Sequence, residues 1–386
     1  LYLAGGDLYM KMNKVIASIV MISMTVCFSG CKQEVKNEAQ PAVQHHTINE
    51  QAKQIVAHMS DTQKIGQLMM IGITGPVVDI KTDRALAKYK FGNVILFDRN
   101  MQNQNQVKKL TADLQEKISI NSGIFPFIAL DQEGGAVLRM RSHFPEVPSE
   151  QELGRKKPSE TKIWAETTGK ELKEMGININ FSPVVDLGLS HGRSYSEDPG
   201  VVSTYAEQAC TGYKDAGILC VLKHFPGIGK AEIDPHMDGA SVAVGREQLE
   251  QEDLKPFRDL IQRIDNKNMF VMVSNVTFPA LDTHYPACVS EKIMTDILRN
   301  QYGYKGLILT DDMEMGAMSK HYTFSQMGVM AVKAGADIIL VCHDYEHEQE
   351  VYKGLLKAYR SGELSRDKID KKVLRIVEMK LAYNGK

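Results

Sequence analysis

Ile218-Leu219-Cys220-Val221-Leu222-Lys223-His224-Phe225-Pro226-Gly227-Ile228-Gly229 is the stretch that decides the fold. Its first five residues are apolar and rich in strand formers, as in a strand buried on both faces of a parallel sheet. The run then gives way to a Lys and a His. A Gly-rich loop follows, and it contains Asp234-Pro235-His236. A buried strand that ends in chemistry-bearing side chains is the unit of an α/β fold whose site lies at its strand ends.

The same unit recurs in both directions. Apolar runs at Ile65–Ile73, Phe91–Phe97, Phe125–Leu130, Ile177–Val185, Met269–Val273, Gly306–Leu309 and Asp337–Val341 join Ile218–Leu222 to give eight predicted strands. Helical periodicity fills the intervals. Gln106–Ser119 repeats apolar residues at Val107, Leu110, Leu114 and Ile118, and Thr161–Met175, Tyr205–Ala216 and Arg246–Ile264 behave likewise. Ser290–Tyr302 opens on a Ser cap candidate, and Val351–Tyr359 and Lys368–Tyr383 close the chain. Eightfold strand–helix alternation predicts an α/β protein with a single (β/α)8 TIM-type barrel over residues 48–386. An open doubly wound sheet is the alternative, but no Gly-x-Gly-x-x-Gly follows the first strand.

Outside the barrel, the first 31 residues read as an export signal. Lys11 and Lys14 give a positive start, Val15 to Phe28 is an apolar stretch too short and too interrupted to span a membrane, and Phe28-Ser29-Gly30-Cys31 ends it. Small residues before a Cys resemble a bacterial lipobox, so Cys31 is the expected lipidation site and the start of the mature chain. Leu1 to Tyr9 would then precede a start at Met10 or Met12. A simple secretory signal is the other reading. Residues 32–47 are polar and aperiodic, a flexible tether in which His45-His46 is solvated. The expected protein is an exported bacterial lipoprotein, membrane-anchored on the periplasmic or cell-surface side. With 386 residues, a formal net charge of −2 and no long basic run, nothing points to a nucleic-acid partner. Cys210, Cys220, Cys288 and Cys342 lack Cys-x-x-Cys spacing and are expected to be buried apolar fillers.

Chemistry-bearing residues follow the strand ends. Asp131 opens Asp131-Gln132-Glu133-Gly134-Gly135-Ala136-Val137-Leu138-Arg139, where two glycines permit a tight turn. An Asp accepts two hydroxyls at once, and an Arg donates in a fixed fork. Asp186 ends the fourth run and Arg193 follows it, with Asp186 expected to orient Arg193. Asp198-Pro199 is expected to cap the next helix. A Lys at a rim rarely serves packing, because burying its charge is costly, which singles out Lys223 beside His224. Asp234 and His236, two residues apart, can meet so that the carboxylate fixes the imidazole tautomer. Asp311 ends the seventh run, and Asp312 beside it is expected to point elsewhere and bond the loop. His236-x-Asp238 lacks a third ligand with metal spacing, and His343 and His347 read as a solvated pair, so no metal site is expected.

Five of these motifs, in this order, resemble the β-N-acetylglucosaminidase branch of glycoside hydrolase family 3. That branch reads K-H-F-P-G-H-G, then D-S-H, then [ST]-D-[DS], and it carries D-x-E-G-G-R-V-x-R and R-S-F-G-x-D-P. The resemblance runs from about Ile65 to the C-terminus and also implies the barrel. It makes Asp131, Arg139, Arg193, Lys223 and His224 ligands of the terminal sugar. It makes Asp311 the nucleophile of a retaining reaction on an N-acetylglucosamine-containing oligosaccharide, with His236 as acid and base and Asp234 as its partner. No cofactor is implied. The chain departs from the pattern at Ala136, Ile228, Pro235 and Asn275. Ile228 predicts altered loop packing or substrate preference, and Asn275, where relatives often carry His, retains both donor and acceptor. Three alternatives stand beside hydrolysis. One is phosphorolysis, since a His acid/base does not repel phosphate. Another is β-glucosidase activity, for which the acid/base usually comes from a second domain that a chain ending at Lys386 is not expected to carry. The third is a catalytically weakened sugar-binding lipoprotein.

Overall fold

The computed structural model describes residues 47–141, 146–189, 191–231 and 240–384. The expected signal, Cys31 and all of the expected tether except Thr47 lie outside the described residues. Thr47 itself caps the first helix, Ile48–His58, accepting from the Glu50 amide while the Glu50 carboxylate receives the Thr47 amide.

Eight strands form one parallel sheet: β1 Met69–Ile71, β2 Asn93–Ile95, β3 Phe127–Leu130, β4 Ile179–Asn180, β5 Leu219–Phe225, β6 Met269–Val273, β7 Leu307–Thr310 and β8 Ile339–Val341. Their spatial order is β7-β6-β5-β4-β3-β2-β1-β8. The two ends meet. Leu309 bridges Ile338 in parallel, the Asp337 amide donates to Ile308 O at 2.8 Å, and the Thr310 amide donates to Ile338 O at 3.1 Å. This is a (β/α)8 barrel. Every strand residue is buried, as a wall packed inside by side chains and outside by helices requires.

Several boundaries differ from the periodicity. The run Ile65–Ile73 begins as helix, because Ser60 and Gln63 form a capping box that starts Asp61–Gln67, and the strand is only Met69–Ile71. Ile177–Val185 shrinks to Ile179–Asn180, since Pro183 has no amide to give the ladder. The expected helix Arg246–Ile264 breaks into Arg246–Gln251 and Leu254–Arg263. At the break the fully buried Asp253 side chain turns in to meet Lys230. Strand β5 runs on through Lys223, His224 and Phe225, with a register shift between Leu222 and Phe225 against β6. Ser290 accepts from the Ile293 amide at 3.2 Å, and Asp198 accepts from Gly200 and Val201 at 2.7 and 2.9 Å, so both expected caps form. Cys210, Cys220, Cys288 and Cys342 are free and buried.

One interior charge was not foreseen. Lys380 is fully buried at the N-terminal ends of the strands, donating to Gln67 Oε1 at 2.8 Å and Gly92 O at 3.0 Å, with its ammonium over the Phe127 ring. Burial pulls its pKa well below the usual lysine value. The opposite, C-terminal end of the barrel is open and charged.

Candidate active site

A cavity of about 780 Å³ occupies that end. Residues following seven of the eight strands line it, from Phe97 after β2 to His343 after β8. Asp131, Arg139, Arg193, Lys223, His224 and Asp311 all lie on its wall, although they are scattered along the chain from residue 131 to residue 311. Asp234 and His236 lie outside the described residues.

The wall from β3 to β5 is a ladder of alternating charge. Gly134 and Gly135 turn the chain with φ of +104° and +53°, and Cβ atoms there would fall 2.3 Å from Pro148 O and 2.5 Å from Ser149 Cβ. The turn returns Arg139 to Asp131, whose Oδ2 receives Nη2 at 3.2 Å. Gln132 steadies the return: Asn180 holds its main chain from both sides at 2.9 Å, and its Oε1 receives the Arg139 amide at 2.7 Å. Lys223 Nζ lies 2.8 Å from Asp131 Oδ1 and 2.6 Å from Glu133 Oε1. Arg193 closes the series with a two-pronged contact to Glu133, both distances 2.8 Å.

The order is therefore Arg139, Asp131, Lys223, Glu133, Arg193. Burial pushes the Asp131 carboxyl up, but Lys223 and Arg139 outweigh it and bring it down to about 2. Glu133 is lowered in the same way by Lys223 and Arg193 against its burial. The Lys223 ammonium is disfavoured by burial, yet Asp131 and Glu133 raise its pKa above the ordinary value. All five groups are charged at neutral pH, a dense hydrogen-bonding surface for hydroxyls.

Asp186 does not orient Arg193 through a hydrogen bond. Glu133 does that, and Asp186 holds His224 instead. Asp186 is fully buried. It takes His224 Nδ1 at 2.7 Å, the His224 amide at 3.2 Å and the Ile228 amide at 2.8 Å. The Nδ1 proton is thereby fixed toward Asp186, which leaves Nε2 for a ligand. The amide of Ile228 thus joins the site while its apolar side chain, buried, lines the cavity. The family His in this slot is replaced by a residue that packs.

Asp311 sits just past β7, its amide bonded to Val273 O at 2.9 Å on β6. Burial raises its pKa, and the neighbouring His224 opposes the rise. The Asp312 amide donates to Asp311 Oδ1 at 2.8 Å. Asp312 bonds the loop as expected, its Oδ1 receiving the Glu314 amide at 3.1 Å, but its Oδ2 also faces the cavity-lining His343 at 3.2 Å. Met315 and Met272 wall the cavity. Asn275 stands behind the wall: its Nδ2 donates to Asp312 O at 2.7 Å, and its Oδ1 is buried without a partner.

His343 stays half exposed and His347 over a third exposed, as expected of a solvated pair, but both rings also have protein partners. His347 lies on helix Tyr345–Ser361, contacts Glu314 Oε1 at 2.6 Å and stacks on Phe324 at 3.8 Å between ring centres. His343 bridges Asp312 and Arg99. Glu133, Glu314 and His343 are cavity residues to which the motifs alone assigned no role. Glu133 stood inside the quoted Asp-x-Glu-Gly-Gly motif and Glu314 lies three residues beyond Asp311, and that proximity was the available signal.

A parallel eight-stranded barrel with a charged cavity at the C-terminal ends of its strands defines the class to which this domain belongs. Residues 61–379 match the glycosyl hydrolase family 3 N-terminal domain, and the chain belongs to that family. It is 33% identical over 300 residues to a beta-hexosaminidase of Nitrosomonas eutropha, covering 74% of this chain and 84% of that protein. Beta-hexosaminidase A of Pseudoalteromonas piscicida is 31% identical over 324 residues, which cover 76% of this chain and 54% of the relative. The chain thus spans about half of that longer relative. Among solved structures, a glycoside hydrolase family 3 beta-N-acetylglucosaminidase from Paenibacillus sp. str. FPU-7 superimposes with a TM-score of 0.81 at 35% identity, over 84% of this chain and 63% of the other.

Proposed function

We propose that this protein is a retaining exo-β-N-acetylglucosaminidase that removes terminal β-linked N-acetylglucosamine from cell-wall or chitin-type oligosaccharides. The observation that carries the reading is the presence of Asp311, a buried carboxylate at a strand end, in the same cavity as the ladder Arg139–Asp131–Lys223–Glu133–Arg193. The ladder offers fixed donors and acceptors for the hydroxyls of one terminal sugar. His224 adds a donor or acceptor whose orientation Asp186 sets. Asp311 is the carboxylate we assign to attack the anomeric carbon of that sugar.

In the first step an Asp311 oxygen bonds to the anomeric carbon as the glycosidic bond breaks. The departing oxygen takes a proton from His236. In the second, His236 removes a proton from water, the water oxygen attacks the same carbon, and the bond to Asp311 breaks. The role of His236, and of Asp234 as its partner, rests on the Asp-x-His motif. Relatives named for the same hexosaminidase activity support the substrate class. A panel of nitrophenyl glycosides, assayed with and without phosphate, tests the proposal. The N-acetylglucosaminide should be turned over to free sugar in both media. Sugar 1-phosphate as the product would replace hydrolysis by phosphorolysis, and turnover of the glucoside alone would overturn the substrate class.

We also propose that the protein is an exported lipoprotein anchored through Cys31, on the lipobox-like Phe28-Ser29-Gly30-Cys31. Cys31→Ser should then abolish membrane fractionation or leave the precursor unprocessed. Unchanged fractionation of that variant would refute the anchor.

A further inference from the structure

Four loops meet at His343, and each supplies one part of a chain of contacts. After β2, Arg99 is pinned by its Nε to Ile73 O at 2.9 Å and by Nη2 to Cys342 O. Gly72, after β1, leaves room for this: a Cβ there would fall 1.8 Å from Cys342 O and 2.8 Å from the guanidinium. The third guanidinium nitrogen, Nη1, lies 3.2 Å from His343 Nδ1. Arginine can only donate, so Nδ1 accepts, and in the neutral ring the proton sits on Nε2. Nε2 is 3.2 Å from Asp312 Oδ2. In the neutral ring, the tautomer that Arg99 selects is therefore the one that can donate to Asp312. The Asp312 contact also raises the His343 pKa against burial and Arg99, and the protonated ring keeps the same Nε2 donor.

The β8 loop is held in place independently. Glu314 receives the amides of Cys342, His343 and Asp344 at 2.8, 2.6 and 3.1 Å, and His347 Nδ1 at 2.6 Å. From the other side Asn275 fixes Asp312 O at 2.7 Å. The Glu314 amide holds Oδ1 of the Asp312 carboxylate at 3.1 Å, and His343 sets its other oxygen, Oδ2. The Asp312 amide, in turn, is the group that donates to Asp311 Oδ1 at 2.8 Å.

We infer that His343, oriented by Arg99, is a positioning residue that holds Asp312 so that its main-chain amide engages one oxygen of Asp311 and leaves the other free to attack. This rests on the reading of Asp311 as the nucleophile. The consequence is electrostatic as well as geometric. The groups that bear on Asp311 are His224 and Lys223 from β5, Asp312 beside it, and the Cys288 and Cys342 thiols, which burial pushes up and so keeps neutral. The Asp312 amide favours the charged form of Asp311, and the Asp312 carboxylate disfavours it. Loss of His343 weakens the first influence and leaves the second without its partner. Both changes raise the Asp311 pKa, so the acid limb of activity moves to higher pH.

The test compares His343→Ala, His343→Gln and His343→Ala combined with Asp312→Asn, using nitrophenyl N-acetylglucosaminide across pH. For His343→Ala we expect kcat to fall about tenfold with KM nearly unchanged, and the acid limb to move up by about 0.5 in pH. His343→Gln, which can still donate to Asp312, should keep the limb in place. The double variant, lacking the uncompensated charge, should move it back. An unmoved limb in His343→Ala, or a raised KM with kcat intact, would overturn the inference. Labelling with an activated fluorosugar separates the two layers. An adduct on Asp311 with an unmoved limb sinks this inference alone, whereas an adduct on another residue sinks the nucleophile reading beneath it.

Discussion

Lys223→Met removes the middle rung of the charge ladder while keeping an unbranched stem of similar reach. Lys223 is 1% exposed and makes two ion pairs, 2.8 Å to Asp131 and 2.6 Å to Glu133. Removing one partner from a buried charge cluster costs about 3–5 kcal/mol, because the carboxylates stay buried with less compensation. The pH dependence can be worked from Asp131. Its pKa is lowered from the ordinary 3.8 to about 2, which corresponds to about 2 kcal/mol of stability. A depressed carboxyl contributes fully above its unfolded pKa and loses that contribution as pH falls toward the folded value. Glu133, also lowered, behaves likewise. In the variant both carboxyls lose Lys223 while their burial remains, so both pKa values rise and this acid-labile stability shrinks or vanishes. The difference between wild type and variant should therefore be largest at neutral pH and narrow steadily below about pH 4. Urea unfolding at pH 7, 5, 4 and 3.5 measures it, through the midpoint at constant slope. A loss under about 1 kcal/mol at pH 7, or one that does not narrow on acidification, would falsify the ladder as a coupled electrostatic unit.

Asp311→Ala should lower turnover by several orders of magnitude with the melting temperature nearly intact, and mass spectrometry of wild type treated with an activated fluorosugar should find the adduct on Asp311, not on Asp312 or Asp131. His236→Ala should retain much of its glycosylation rate on aryl substrates with good leaving groups and lose nearly all activity on a disaccharide, with azide partly restoring aryl turnover; equal losses on both, without rescue, would remove it as acid/base. Asp186→Ala frees the His224 ring and the Ile228 amide together, so kcat/KM should fall about 10–100-fold. Asp186→Asn, which can still accept from the imidazole, should fall less, and equal losses in the two variants would refute the orienting role.

Much of this architecture is written locally. Apolar runs such as Met269–Val273, which is strand β6 residue for residue, and the caps at Asp198 and Ser290 need only near neighbours. So do the positions of Asp131, Lys223, His224 and Asp311, because a barrel puts whatever follows a strand on its active face. Boundaries failed where a single side chain outweighed periodicity, as when Asp253 turned inward to Lys230 and split a helix.

Pairing is another matter. Lys223 meets Asp131 across 92 positions, His224 meets Asp186 across 38, and Arg99 meets His343 across 244. The sequence by itself determined which residues stand at the strand ends, and with them the barrel and the chemical types on its rim. Only the tertiary structure decided that Glu133, not Asp186, holds Arg193, that Asp186 serves His224, and that His343 reaches Asp312. Local propensity acts over a few residues, whereas an ion pair between two loops exists only once closure of the sheet, β7 against β8, has fixed their distance.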